Sequence, residues 1–339
     1  MLRKISIALQ RLNSKDHDYF YEQFMYGHRE ILLAYARNAD SSPSTRAILS
    51  AGLQHGWAGD ANIWRVRHRN LTPAPRYVWE KRFENDLPKS TKNIAIGAPW
   101  LYLLNLLGIE KGIEYRLKNC SEKKEFLIFP GHNMWNTNKP LTDQANEFYE
   151  ITKGKSATVC LYWIDFLQPR IRRAYEELGF KIECVGFLGN PTHSIQSNIG
   201  RSEFLLELVE LMLNHETILA DEFSSGVLYG ASIGLKIMFI DDYRTKEHDE
   251  ILSKDRDGSY LGFYATASEW LENCFPEIYS TRDSGKKFID FSYQELGADS
   301  LLTQSELSEI GWVESKLDDQ IQVQFETAIE NLKNKIIRL

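Results

Sequence analysis

A chain of 339 residues is long for one core and comfortable for two domains of ordinary size, and its 43% hydrophobic and 12% aromatic content can fill both. A formal charge of −7 argues against a protein that coats nucleic acid. Cys120, Cys160, Cys184 and Cys274 have no CxxC spacing and read as reduced core residues of a cytoplasmic protein, with neither a signal peptide nor an uncharged run of spanning length expected.

Taken in order, residues 1–45 open with a short basic amphipathic piece, followed by a helix over about 16–37. Asp16-His17-Asp18 imitates a D-x-D metal motif but stands where a helix cap belongs, and Asp255-Arg256-Asp257 lies in a polar loop, so no metal site is expected. Residues 47–54 read as a strand that empties into His55-Gly56-Trp57-Ala58-Gly59-Asp60. On such a glycine-flexed loop His55 can act as a base with Asp60 as its orienter; the alternative is a turn histidine bonded to backbone. From 64 to 82 basic and aromatic residues interleave, with Arg65, Arg67, Arg69 and Arg76 concentrating positive charge. That stretch is either a solvated loop or a surface that meets an anionic lipid leaflet or a phosphate-bearing acceptor. Strands follow over 76–79 and 93–97, and Gly97-Ala98-Pro99-Trp100 turns the second into an apolar helix over 101–107.

The charged stretch 111–125 separates two composition regimes. It divides the chain into an N-terminal lobe, 1–118, a C-terminal lobe, 119–300, and C-terminal helices, 301–339, with the last helix, 317–337, packing back. Beyond it, strands over 125–129, 157–162, 181–187, 217–220 and 236–240 alternate with helices over 142–153, 169–178, 202–214 and 225–233. This alternation predicts an α/β fold with a parallel, doubly wound sheet whose ligand edge lies at the strand carboxyl ends. His132, Asp165, Asn190, Glu222 and Asp242 all fall on that edge, with Asn133 beside the first. After the strand at 217–220, Ser224, Ser225 and Gly226 open a helix whose free N–H groups favour an anion. Residues 261–339 carry helices, with 288–291 the one candidate strand.

Several short motifs carry a resemblance. They are Gln54-His55-Gly56-Trp57, Ala95-Ile96-Gly97-Ala98-Pro99-Trp100, Phe129-Pro130-Gly131-His132, Ser224-Ser225-Gly226-Val227-Leu228-Tyr229-Gly230, and the tail from Glu295-Leu296-Gly297 to Leu307. Together they resemble the GT-B glycosyltransferases, and among these the bacterial enzymes that build capsule and O-antigen polysaccharides. The resemblance implies two Rossmann-like lobes facing across a cleft. The C-terminal lobe would hold a nucleotide-sugar donor through His132, Asn133, Asp165, Glu222, Ser224, Ser225, Gly226 and Tyr229. The N-terminal lobe would meet a glycan or lipid-linked acceptor, with His55 or Asp60 as base and Arg65, Arg67 and Arg69 toward the acceptor or the inner face of an anionic membrane. No cofactor or metal beyond the donor itself is implied, and no nucleic acid. The residue eight after Glu222 is Gly230, so an E-x7-E arrangement is absent, as is a His-Pro dipeptide, which leaves the stereochemistry open. Three rival readings remain. Gly230-Ala231-Ser232-Ile233-Gly234 matches a hydrolase nucleophile elbow, though it ends a predicted helix instead of opening one. His55, Asp60 and Glu222 would also suit a sugar-nucleotide epimerase, and a non-catalytic scaffold could keep the same fold.

Overall fold

A computed structural model describes residues 22–40, 42–54, 56–57, 76–84, 92–109, 124–131, 141–185, 203–221, 223–240, 285–315 and 319–338. The fold is α/β, built on parallel Rossmann-like sheets. The described chain enters through a 3-10 segment, Glu22–Gly27, before helix α1, His28–Ala36. Tyr26 and Gly27 take left-handed φ angles of 60° and 75°. Such a pair cannot continue a right-handed helix, so the single helix expected over 16–37 is interrupted there.

The strand expected over 47–54 is two short strands in different sheets. β1, Ile48–Leu49, pairs antiparallel with β10, Trp312–Val313, whereas β2, Gly52–Leu53, belongs to a parallel sheet. Between them the Ser50 N–H donates to the Gly311 carbonyl at 2.8 Å, which keeps the chain on the β10 side for one residue more. β3, Arg76–Val78, and β4, Asn93–Ala95, complete this smaller sheet in the order β2-β3-β4, all parallel. β4 turns through Gly97 into α2, Pro99–Leu107. Proline at the first helical position and left-handed Gly108 after the last are the usual start and stop of a helix.

The larger sheet has the order β7-β6-β5-β8-β9 and is parallel throughout. Its strands are β5, Lys124–Phe129; β6, Ala157–Cys160; β7, Lys181–Glu183; β8, His215–Ala220; and β9, Lys236–Phe239. Between them run α3, Leu141–Thr152; α4, Trp163–Phe166; α5, Pro169–Glu176; α6, Phe204–Leu213; and α7, Ser225–Ser232. Strand periodicity sorts the side chains between two layers. Phe126 and Ile128 pack with Phe148, Ile171 and Tyr175 on the α3 and α5 side, and Leu127 packs on the opposite side. Apolar burial on both faces explains why these strands read as near-continuous hydrophobic runs.

The chain ends in α8, Gly285–Glu295; α9, Gln304–Glu309, opened by a Thr303–Glu306 capping box; and α10, Asp319–Arg338. Residues 288–291, the candidate strand, lie inside α8. Phe288 and Phe291 stand one helical turn apart with rings stacked 5.6 Å between centroids, an arrangement that a four-residue apolar run cannot announce. α10 packs against α1, α2 and α6. It is fastened by Arg37 Nε to Glu326 Oε1 at 2.9 Å, by Gln322 Nε2 donating to the Glu30 carbonyl at 3.2 Å, and by a Lys335–Glu210 pair. One apolar core runs from Leu53 in the smaller sheet and Trp79 just past β3 through Trp100 and Tyr229 to Ile218 in the larger sheet.

Candidate functional site

The larger sheet winds outward from β5, first through β6 and β7 on one side, then through β8 and β9 on the other. Its topological switch point is therefore between β5 and β8, the place where open α/β sheets receive ligands. Phe129 is paired with Ala220 at this edge, and the two strands run out into Pro130-Gly131 and Asp221. Asp221 ties the loops together. Its Oδ1 accepts from the Gly131 N–H at 2.6 Å and its Oδ2 from Gln144 Nε2 at 2.6 Å, while Gln144 Oε1 accepts from the Tyr175 hydroxyl at 3.1 Å. With both oxygens engaged, Asp221 ties the end of β8 to the loop after β5 and to α3.

Directly after β8, α7 presents its N-terminus at the same point. Ser224 is extended, φ −146°, and its side chain does not cap the helix. The Ser224 carbonyl accepts from Val227 and Leu228 at 3.1 and 3.3 Å, so the N–H groups of Ser225 and Gly226 precede the intrahelical ladder. Gly226 rests over the end of β5, where a Cβ would stand 3.6 Å from the Phe129 ring. N–H groups ahead of the intrahelical ladder and the positive end of the helix dipole give this switch point the chemistry to receive an anion.

The carboxyl edge of the smaller sheet meets the first turn of α7. Gln54, at the end of β2, donates through Nε2 to the Gly56 carbonyl at 2.9 Å; its Oε1 accepts from the Trp79 N–H at 2.9 Å, and its carbonyl from Trp79 Nε1 at 3.1 Å. Trp57 then bridges the sheets. Its backbone N–H donates to Ser225 Oγ at 2.9 Å, its indole Nε1–H donates to Glu295 Oε2 at 2.7 Å, and its ring meets Phe223 edge-on at 4.5 Å. Arg82 grips Glu295 with both terminal nitrogens, at 3.0 and 2.6 Å, and donates to Glu80 Oε1 at 2.7 Å. Burial, and then the charge of Glu295, push the Glu80 carboxyl up to about 9 against the pull of Arg82, so at neutral pH it holds its proton.

Tyr229 and Ser232 lie behind this surface. Tyr229 stacks on Trp100 at 4.4 Å and 15°, hydrogen-bonds Ser225, and has its phenol pushed up by burial, so it reaches the edge through Ser225. Ser232 Oγ accepts from Trp100 Nε1 at 2.8 Å and donates to the Tyr229 carbonyl at 2.7 Å. It is 1% exposed at the end of a helix before a strand, which excludes the nucleophile-elbow reading of 230–234.

Of the residues singled out in the sequence, Ser225 meets Trp57, with Ser224 and Gly226 beside it in the first turn of α7 and Tyr229 bonded to Ser225 from behind. Asp165 is buried in α4 after β6, on the far side of β5 from α7. His55, Asp60, Arg65, Arg67, Arg69, His132, Asn133 and Glu222 lie outside the described residues, as do Asn190, Asp242, Cys120 and Cys274. Cys160 is buried, its thiol pushed up to about 12 chiefly by burial, and Cys184 is half-buried. Sequence reasoning missed Glu80, Arg82 and Glu295, and gave Asp221 no role beyond ending a strand. Glu80 and Asp221 carried a usable signal, each being a polar residue just past a buried strand. Glu295 stood in a quoted motif without a partner to give it meaning. Among the described residues no group of three or more histidine, cysteine, aspartate or glutamate side chains is arranged to hold a metal ion, and no helix is long and apolar enough to cross a membrane.

No protein-family model matches this chain, and no curated protein matches it. Among solved structures it is similar to the wall teichoic acid polymerase TagF at 15% identity and a TM-score of 0.33, over 77% of this chain and 58% of that one. The chain thus spans less than two thirds of that polymerase's length, and a likeness of this depth assigns it neither activity nor substrate.

Proposed function

We propose that the chain is a glycosyltransferase of the GT-B type that moves a sugar from a nucleotide-sugar donor to a glycan or lipid-linked acceptor of a bacterial surface polysaccharide. The observation that supports this best is the meeting of two carboxyl edges at one point. The switch point of the larger sheet carries the uncapped N-terminus of α7, and the loop after β2 of the smaller sheet docks on that same turn through Trp57 and Ser225. A donor's phosphate would take the N–H groups of Ser225 and Gly226, beside the loops that Asp221 ties together. As the glycosidic bond breaks, negative charge develops on that phosphate, and fixed N–H dipoles there stabilise it without a metal ion. The acceptor hydroxyl would be deprotonated by His55 or Asp60, which flank Gly56 and Trp57 in the sequence. Arg65, Arg67 and Arg69 would serve a phosphate-bearing acceptor or the anionic leaflet that carries it.

The test is a transfer assay with chelator present, using nucleotide sugars of the cytidine, uridine, guanosine and thymidine series and a lipid-phosphate or oligosaccharide acceptor. Acceptor-dependent release of one nucleotide is the expected result. Conversion of the donor sugar with no acceptor would show an epimerase instead, and an inert protein across the whole panel would contradict the reading.

A further inference from the structure

Glu295 is 1% exposed and sits at the last residue of α8, where its position is set by backbone. The Ala98 N–H donates to the Leu296 carbonyl at 2.8 Å, and Gly297 lies so close to β3 that an added Cβ would stand 1.9 Å from the Trp79 carbonyl oxygen. Gly97 and Gly297 are both left-handed, at 77° and 73°, and face each other, a Cβ on Gly97 falling 3.1 Å from the Gly297 carbonyl. The end of α8 is thus clamped onto the carboxyl edge of the smaller sheet before any side chain acts. Arg82 then fixes the Glu295 carboxylate by a two-point grip, the planar pairing for which a guanidinium is built. Among the described residues the other hydrogen-bond donor to this anchored carboxylate is the Trp57 indole. Trp57 has its backbone N–H on Ser225, which opens α7.

Stability alone does not call for this arrangement. Only Glu295 is withdrawn from water, the Arg82 side chain staying 30% exposed, so desolvation of the carboxylate offsets much of the attraction, and apolar side chains of the same volume would hold α8 to the sheet about as well. What a carboxylate does that an apolar side chain cannot is aim an indole N–H, and with it the loop that bears it. We infer that Glu295 is a positioning residue of the site: held by Arg82, it orients Trp57 and thereby sets the loop after β2 against the first turn of α7. Ser225 is the contact at which that setting is delivered. The role in turnover rests on the reading of the α7 N-terminus as the donor seat, whereas the mechanical coupling from Glu295 through Trp57 to Ser225 does not.

The experiment follows this division. Residue-resolved hydrogen exchange on the full chain reads the Trp57 backbone amide, whose acceptor is Ser225 Oγ. Glu295→Ala should lower its protection ~10-fold or more while amides of β5 and β8 exchange as before. Glu295→Gln, which keeps an acceptor oxygen for the indole, should restore most of that protection. In the transfer assay Glu295→Ala should lower kcat about ten-fold with donor KM within about two-fold, since the Ser225 and Gly226 N–H groups are untouched while alignment is lost. Unchanged Trp57 protection in Glu295→Ala would overturn the inference. So would a parallel loss across β5 and β8, a Gln variant no better than Ala, or altered exchange with wild-type turnover. If the unmodified protein transfers no sugar, the function reading fails by itself, and the exchange measurements still decide whether Glu295 sets the loop.

Discussion

Glu80 and Glu295 both lie against one guanidinium, and burial together with the neighbouring carboxylate pushes Glu80 up to about 9. Its carboxyl therefore titrates near 4.5 when the chain is unfolded and near 9 when it is folded. Between those values the native state binds a proton that the unfolded state has released. The stability Glu80 contributes is full below pH 4.5 and is lost progressively as pH rises to 9. Glu80→Gln mimics the protonated acid and keeps an acceptor for Arg82. It should flatten the fall in melting temperature across this window and make the variant the more stable protein at pH 8.5. Melting curves at intervals of one pH unit check this, and parallel curves for the two proteins would contradict it. Asp221 supports a second prediction. Asp221→Ala removes the acceptor that the Gly131 N–H and Gln144 Nε2 share at a half-buried edge. Urea unfolding should show a loss of about 1–3 kcal/mol, accompanied by weaker nucleotide binding because the crevice loops are untied.

Two glycines separate clashes of different kinds at the level of elements. A Cβ on Gly230 of α7 would come 2.0 Å from Ile218 Cδ1, the far end of a flexible side chain on β8. A Cβ on Gly297 would come 1.9 Å from a backbone carbonyl, at a φ of 73° that other residues rarely adopt. Gly230→Ala should therefore cost about 1–3 kcal/mol in denaturant unfolding, and Gly297→Ala more than that or a failure to fold, because α8 must detach from β3. Trp100→Phe keeps an aromatic face for Tyr229 but removes the indole N–H that donates to Ser232, a loss of about 1–2 kcal/mol by the same measurement. The elements involved differ in how far the sequence announced them. β5, β8, α7 and β9 were legible because their signals are local: an apolar run, a Ser-Ser-Gly start and a left-handed Gly234 stop, φ 79°. The division of 47–54 into β1 and β2 was not legible, because it depends on Gly311 and β10, far along the chain, supplying one strand with a partner. The run at 288–291 is apolar in either state, and only its packing in α8 decides between them.

The whole molecule gathers its candidate site from distant parts of the chain. Ser225 and Gly226 could be named from sequence because a helix start after a strand carries its own chemistry. Trp57 touches residues 168 and 238 positions away, and separations of that size leave no periodic trace. The smaller sheet, the larger sheet and α8 therefore act as one unit at this point, with a continuous core behind it from Leu53 to Ile218. The central claim is that the first turn of α7 holds a donor's phosphate, and Gly226→Asp tests it most directly. A carboxylate in the first turn complements the helix dipole, and a side chain at Gly226 meets Phe129 only at ordinary contact distance, so the variant should melt as cooperatively as the parent. Its charge should nevertheless expel a phosphate. In thermal-shift titrations with CMP, UDP, GDP, CDP and dTDP, at least one nucleotide should raise the melting temperature of the unmodified protein and leave that of Gly226→Asp unmoved. A shift of equal size in both proteins, or none with any nucleotide, would contradict the claim.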